Sequence, residues 1–186
     1  WWTPESVGIN DKKLVSDQAC KIWNCRIENS EFTYIVSGVG ASTCMDIVMA
    51  LKEANCKRIL FVGSAGGLKE KHNIGDFAVP SGMISAEGAS RYIGDDLSED
   101  IFGKSYFPSK ELYTRLLKCL KETTAPNHIN LHDGIGISVE SILLQYKHID
   151  EFSEMGCDFI DMESSAFLAS SNNIGIDSAV VFCISD

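Results

Sequence analysis

Four short segments of the sequence carry groups that bind small polar molecules: backbone N–H donors, a hydroxyl group and carboxylates. The segments are Gly38-Val39-Gly40, Ser64-Ala65-Gly66, Asp161-Met162-Glu163 and Ser185-Asp186. Glycine lets successive N–H groups point into one space, and a carboxylate accepts two hydrogen bonds at once. Taken singly, each segment has a plainer interpretation, such as a tight turn or a solvated acid at a helix start. It is their co-occurrence that predicts a binding site.

The elements that must position these segments follow from the apolar pattern. Apolar runs typical of buried strands cover residues 32–36, 58–62, 76–84, 129–138, 159–160 and 178–184. Helical spacing of apolar residues covers about 43–54, 109–123, 149–155 and 162–170. The four polar segments each end a strand, and open α/β sheets bind ligands at the carboxyl ends of their strands. The sequence therefore predicts one α/β domain over residues 1–186, with a mixed, mainly parallel sheet flanked by helices.

Three further expectations concern the connections between these elements. Residues 32–67 read as strand, glycine turn, helix and strand, which predicts a βαβ unit with parallel strands and a glycine loop over 63–67. Residues 11–23 are predicted to form a helix, from the spacing of Leu14, Val15, Ala19 and Ile22. The sequence stops directly after a predicted buried strand, so we expect the domain to be incomplete at its C-terminus.

Charge and cysteine content exclude several classes of partner. The net charge is −10, from 16 Lys and Arg against 26 Asp and Glu, which argues against nucleic acid and anionic membranes. The seven cysteines include no CxxC pair, and we expect free thiols in a reducing, cytoplasmic compartment. The four histidines show no metal-ligand spacing, so no metal is predicted. No apolar run approaches the ~20 residues of a membrane span.

The segment Gly38 to Thr43 also allows a different interpretation. It matches a degenerate dinucleotide-binding fingerprint, with Thr43 in place of the third glycine. The next strand ends in Val62-Gly63, where a ribose-binding unit of that type needs an acidic residue. A dinucleotide-binding domain stays open as an alternative, and NAD titration would reveal it.

Taken together, the motifs resemble those of the nucleoside phosphorylase and nucleosidase superfamily, which includes purine nucleoside phosphorylase, uridine phosphorylase and methylthioadenosine/S-adenosylhomocysteine nucleosidase. The matching segments are Gly63-Ser-Ala-Gly-Gly-Leu68, Ile74-Gly-Asp76, Asp161-Met-Glu-Ser-Ser-Ala166 and Ser185-Asp186. The resemblance runs from about Tyr34 to Asp186 and is poor before about residue 32, where the family's first strand and phosphate-binding turn are not evident. It implies a homo-oligomer (dimer, trimer or hexamer) acting on a small-molecule nucleoside. It implies no cofactor, with phosphate as an alternative co-substrate.

The resemblance also implies a role for each matching residue. Glu163, within the Asp161-Met162-Glu163 segment, would bind the ribose 2′- and 3′-hydroxyls, and Met162 would lie against the sugar. Other implied contacts are Val39 at the ribose, Ser64, Ala65 and Gly66 at the nucleophile, and Ile142 and Leu143 at the base. Asp186 would protonate purine N7 as the glycosidic bond breaks. Such an acid must carry a proton, and we expect burial beside Phe182, Cys183 and Ile184 to favour this.

Two departures from the family pattern bear on the reaction. Hexameric phosphorylases carry a phosphate-binding Arg where this sequence has Phe61, which favours water over phosphate as the acceptor. The Gln and Arg by which uridine phosphorylases bind uracil have no counterpart in register after residues 138–144. The prediction is therefore cleavage of the N-glycosidic bond of a purine nucleoside. A uridine phosphorylase-like enzyme and a non-catalytic nucleoside-binding or storage protein remain alternatives.

Overall fold

The structure is a computed structural model that describes residues 2–18 and 20–186. Contacts between residues divide the chain into two compact units, one that ends at Val39 and a larger one that spans Gly40–Asp186. The interpretation of the whole chain as one domain stays a prediction. Among the described residues, no helix is both long and apolar enough to cross a bilayer, and none of the cysteines there forms a disulfide.

The smaller unit is a three-stranded antiparallel sheet. Its strands are β1 (Asp11–Asp17), β2 (Lys21–Ile27) and β3 (Ser30–Val36), in that spatial order. Glu28, with φ of 51°, lies in the tight turn between β2 and β3. Trp23 and Cys25 are buried on one face, where they form a small cluster with Ile9, Tyr34 and Val36.

Two predictions for this region are wrong. Residues 11–17 form β1 and residues 21–23 begin β2, instead of a helix. Side chains along Trp23–Arg26 alternate between buried and exposed with the period of two that a strand gives. Ala19, one of the positions behind the helix prediction, lies outside the described residues. The strand over 32–36 pairs with β2 in antiparallel fashion and is not the first strand of a parallel βαβ unit.

The larger unit is a closed, mixed sheet covered by helices. Its elements in chain order are α1 (Ala41–Ala50), β4 (Arg58–Gly67), β5 (Phe77–Ala86), β6 (Ser105–Tyr106), α2 (Lys110–Thr124), β7 (Leu131–Val139), α3 (Ile149–Glu154), β8 (Cys157–Asp161), α4 (Ser164–Ile174) and β9 (Asp177–Ile184). The strand order is β6-β5-β7-β8-β4-β9, and β5 pairs again with β9. The longest ladders, β5 with β7 and β4 with β9, are parallel. The predicted α/β class with a mixed, mainly parallel sheet is confirmed.

Helix α4 is the most deeply buried helix of this unit. Every residue from Ser164 to Ser171 is buried, although four of the eight are serines. Phe167 packs with Phe182 and Phe159 in the main apolar cluster, and burial of each ring contributes about 1.5–3 kcal/mol. Because α4 is enclosed, packed neighbours surround its first turn, which follows the end of β8.

The glycine-rich segment predicted as a loop continues strand β4 to Gly67. None of its glycines has a positive φ, so backbone freedom is not the reason for them. The reason is close approach: a Cβ at Gly66 would lie 2.9 Å from Ile160 Cγ2, and one at Gly67 would lie 2.6 Å from His72 Cβ. Neighbouring side chains therefore occupy the space that larger residues would need on this strand.

Candidate active site

The strand register brings three of the four predicted segments together. Ala65 pairs with Ile184 of β9 on one side of β4, and Gly66 pairs with Ile160 of β8 on the other. Ser64-Ala65-Gly66 thus lies between the end of β8 and the end of β9. Two strand spacings separate those ends by about 10 Å. A small molecule placed over residues 64–66 would therefore meet groups from both neighbours.

Glu163 stands at the start of α4 and reaches the start of another helix. Its Oε1 accepts a hydrogen bond of 2.5 Å from the backbone N–H of Gly40, which precedes α1. Burial raises the pKa of Glu163, the Gly40 hydrogen bond lowers it, and the charge of Asp161 raises it, with a net rise. The N-terminus of α1 favours a negative charge here. The carboxylate is therefore held in one orientation before any ligand binds.

Asp161 lies behind Glu163 and is bound by the protein itself. Its carboxylate accepts hydrogen bonds from the hydroxyls of Ser138 and Ser164, both at 2.5 Å, and from the backbone N–H groups of Ser164 at 2.8 Å and Glu163 at 3.2 Å. Burial raises the pKa of Asp161 and these four bonds oppose the rise. The residue is 6% exposed, and it accepts hydrogen bonds from two backbone N–H groups at the start of α4 that have no partner within the helix. A direct contact of Asp161 with substrate stays a prediction.

Ser185 and Asp186 extend β9 along the glycine segment. The backbone N–H of Ser185 donates to the carbonyl of Ala65 at 3.0 Å, and that of Gly67 donates to the carbonyl of Asp186 at 2.8 Å. The Ser185 hydroxyl donates to Asp186 Oδ1 at 2.6 Å. A Cβ at Gly66 would lie 3.3 Å from Asp186 Oδ2, so the carboxylate lies against that glycine.

The expected burial of Asp186 is wrong. Phe182 and Ile184 are buried in the main apolar cluster, whereas Asp186 is exposed. The physical reason is that β9 ends at Ile184, and the two residues after it leave the apolar interior. Asp186 nevertheless lies beside the glycine segment, because its carboxylate packs against Gly66.

The remaining predicted site residues are half-buried or exposed. Met162 is half-buried and the Ser64 side chain is exposed. Ile142 and Leu143 are 54% and 80% exposed, in the turn after β7. Because Ser138 of β7 pairs with Asp161, that turn leaves the same end of the sheet. Val39 is 57% exposed and is the last residue of the smaller unit, and its role stays a prediction.

Asp76, from the Ile74-Gly-Asp76 motif, is a structural residue. It is 6% exposed and accepts hydrogen bonds from His132 at 2.8 Å, from Asn130 and from Asn73. Burial would raise the pKa of Asp76, but these bonds outweigh burial and lower the pKa to about 2. The carboxylate thereby joins the beginnings of β5 and β7. Within residues 2–18 and 20–186, no group of three His, Cys, Asp or Glu side chains could hold a metal ion.

Sequence reasoning missed the polar residues that support the site. Ser138, Ser165 and Glu87 are buried at the ends of β7, α4 and β5. The signal for Ser138 and Glu87 is a polar residue directly after an apolar one, at the edge where the binding segments were expected. Ser165 follows another serine and carries no such signal. That signal is common to surface turns, so only the fold separates the two cases.

Comparison with known proteins identifies the family. A sequence profile for the Phosphorylase superfamily matches residues 9–186, nearly the whole chain. The chain belongs to the Phosphorylase superfamily. The resemblance to nucleoside phosphorylases and nucleosidases is thus confirmed, and with it membership of a superfamily of enzymes that cleave glycosidic bonds.

Individual members of the Phosphorylase superfamily are distant in sequence but close in fold. A 5′-methylthioadenosine/S-adenosylhomocysteine nucleosidase from Haemophilus ducreyi is 23% identical over 183 residues, which cover 96% of this chain and 77% of that protein. A uridine phosphorylase from Klebsiella aerogenes is 23% identical over 144 residues, 76% of this chain and about half (52%) of that protein. The crystal structure of uridine phosphorylase from Vibrio fischeri superimposes with a TM-score of 0.84 at 19% identity, over 97% of this chain and 74% of that one.

Proposed function

We propose that this protein cleaves the N-glycosidic bond of a purine nucleoside, with water as the acceptor. One observation carries the proposal: β8 and β9 lie on opposite sides of Ser64-Ala65-Gly66, and Glu163 and Asp186 each follow the end of one of these strands by two residues. Two strand spacings, about 10 Å, set the gap between the strand ends. A nucleoside that lies across this gap would place its ribose hydroxyls at one carboxylate and its base at the other.

The ribose end of the site is built around Glu163. Its carboxylate would accept hydrogen bonds from the 2′- and 3′-hydroxyls, and charged acceptors make the stronger hydrogen bonds. The Gly40 N–H fixes one carboxylate oxygen, so little reorganisation is needed on binding. Met162, half-buried beside it, would form an apolar wall against the sugar.

The base end of the site requires an acid. As the bond between C1′ and N9 breaks, its electron pair moves to the purine, and C1′ gains positive charge. Asp186 would give a proton to N7, so that the base leaves as a neutral molecule. A water molecule near Ser64 and the amides of Ala65 and Gly66 would then add to C1′ and pass its proton to bulk water. The exposed Asp186 carboxylate would take up a proton from the solvent before the next turnover.

The choice of water over phosphate rests on residue 61. Phe61 packs in the main apolar cluster, with its ring 5.4 Å from that of Phe167 and 6.4 Å from that of Phe182. A phenyl ring offers no hydrogen bond or charge to an anion. Phosphorolysis would therefore need a cationic group from elsewhere in the protein.

A uridine phosphorylase-like activity is the second candidate, because proteins of that name appear among both the sequence relatives and the structural neighbours. The test is product analysis after incubation with adenosine, inosine, methylthioadenosine and uridine, each with and without phosphate. We expect free purine base and free sugar at rates that phosphate does not change. Uracil as the main base, or ribose 1-phosphate as the main sugar, would reject the proposal. Absence of any product with retained nucleoside binding would favour the storage alternative.

A further inference from the structure

A second buried carboxylate, Glu87, lies near the site and has no part in the proposed chemistry. It follows β5 and is 4% exposed. Its Oε1 accepts hydrogen bonds from the hydroxyls of Ser85 at 2.9 Å, Ser165 at 3.0 Å and Ser90. Its Oε2 accepts from the backbone N–H groups of Ala89 at 2.6 Å and Ser90 at 3.1 Å. Five donors thus converge on one side chain.

This carboxylate is connected to the turn that bears Glu163. Ser165 belongs to the first turn of α4, and its backbone N–H donates to the Ser138 hydroxyl at 2.8 Å. The Ser138 hydroxyl in turn donates to Asp161 at 2.5 Å. Glu87 and Asp161 therefore hold the first turn of α4 through separate contacts.

Holding a buried helix by hydrogen bonds to a carboxylate requires the burial of a charged group. A carboxylate loses its hydration when it is buried, and only well-placed donors offset that loss. An apolar contact would stabilise the helix without that cost but would leave its rotation less defined, because hydrogen bonds are directional. The neighbouring contacts are of this looser kind: Ala41, Ala89 and Ala166 pack where α1, the 3₁₀ helix at Ala89–Ile93 and α4 meet.

We propose that Glu87 is a positioning residue for ribose recognition. Through Ser165 it fixes the rotation of the first turn of α4, and so the place where the Glu163 carboxylate meets the ribose hydroxyls. This inference rests on the function proposed above and adds a specificity determinant to it. A small displacement of Glu163 would weaken hydrogen bonds to the sugar and leave contacts to the base unchanged.

The chain offers a matched pair of variants to test this. Ser165 and Ser90 are both buried and both donate a hydroxyl hydrogen to the same Glu87 oxygen. Only Ser165 lies on α4. Ser165→Ala and Ser90→Ala therefore remove the same chemical group, at similar cost to the fold, and differ in whether the link to α4 is lost.

The readout is the ratio of kcat/KM for adenosine to kcat/KM for 2′,3′-dideoxyadenosine, which lacks the hydroxyls that Glu163 would bind. We expect Ser165→Ala to lower this ratio on the order of tenfold, and Ser90→Ala to change it by less than about twofold. Partial unfolding lowers both rates equally and cancels in the ratio. Glu87→Gln keeps the size of the side chain and should lower the ratio less than Ser165→Ala does.

Hydrogen exchange at the Gly40 amide separates failure of this inference from failure of the proposed function. That amide donates to Glu163, so we expect it to exchange faster in Ser165→Ala than in Ser90→Ala, even if the protein cleaves no nucleoside. Equal exchange rates in the two variants would overturn the positioning role. If the wild type releases base from adenosine while both variants change the ratio equally, the function stands and this inference is wrong.

Discussion

At the scale of single residues, the three carboxylates of the site differ in burial and in the number of hydrogen bonds they accept from the protein. Asp161 accepts four such hydrogen bonds and Glu163 accepts one from Gly40, whereas Asp186 is exposed. The sequence identified all three but could not rank them, because their roles depend on donors from Ser138 and Gly40, which are far away in the chain. The predictions at this scale concern Glu163 and Asp186.

Glu163→Gln should keep the fold and lose most activity. The amide places a donor where the ribose hydroxyl pair needs an acceptor, and we expect a loss of about 2–4 kcal/mol of transition-state stabilisation. Steady-state kinetics with adenosine measures this. Glu122→Gln, on the exposed side of α2, is the control and should behave like the wild type. Near-normal activity of Glu163→Gln would reject the ribose assignment.

The fall of kcat/KM at acid pH should reflect protonation of the Glu163 carboxylate. Burial, with Asp161, raises its pKa above the ordinary value of 4.5, although the Gly40 hydrogen bond opposes this. A raised pKa means that the carboxyl is protonated at higher pH, and the protonated form accepts ribose hydrogen bonds poorly. We therefore expect kcat/KM to fall, as pH is lowered, at a pH above 4.5. An acid limb at or below that value, or one retained in Glu163→Gln, would contradict the assignment.

Asp186→Asn should separate acid catalysis from binding. Loss of the proton donor should lower turnover of adenosine by roughly 10²–10⁴-fold. A 4-nitrophenyl riboside has a leaving group that needs no proton, so its cleavage should change far less. Parallel assays of the two substrates make the comparison. Equal losses on both would show that Asp186 is structural and would remove the main support for a purine substrate.

At the scale of elements, residues 63–67 were predicted to form a loop but continue strand β4. The prediction rested on the cluster of glycines, which is most common in loops. The observed reason for glycine at position 66 is the approach of Ile160, which lies on β8, and of Asp186, which follows β9. Such pairings cannot be deduced from one segment, and the same limit hid the β1–β2 hairpin. Strands β5, β7, β8 and β9 and helices α2 and α3 were predicted within two residues of their observed bounds. Helix α4 runs four residues further than predicted, and the two-residue β6 was not predicted.

Gly66→Ala should damage the site more than the fold. The new Cβ would lie 2.9 Å from Ile160 Cγ2 and 3.3 Å from Asp186 Oδ2, so one of these groups must move. We expect a loss of about 1–3 kcal/mol in the free energy of unfolding, with a larger relative loss of adenosine cleavage. Urea denaturation and kinetics measure the two effects. Gly94→Ala, whose nearest contact would be an ordinary 3.5 Å, is the control. Full activity of Gly66→Ala would mean that Asp186 need not lie against this glycine.

At the scale of the whole molecule, the smaller unit has little apolar interior. Trp23 is 7% exposed and packs edge-on to Tyr34 at 6.2 Å. Trp23→Ala should destabilise this sheet by about 3–5 kcal/mol, through lost burial and the cavity that remains. Faster hydrogen exchange along β2 would show this, with Trp2→Ala at a 42% exposed position as the control. Unchanged exchange in Trp23→Ala would mean that the cluster around Trp23 does not hold the sheet.

The second pairing of β5 with β9 has a consequence for behaviour in concentrated solution. It closes β5, β7, β8, β4 and β9 into a ring, so that within the described residues only the two-residue β6 is added outside it. The apolar run Ala179–Ile184, which has the composition of an aggregation-prone segment, is thereby paired with β4 along its length and with β5 near its end. Release of that segment requires both ladders to break, so fibril-like association through this strand should wait for unfolding of the ring as a whole.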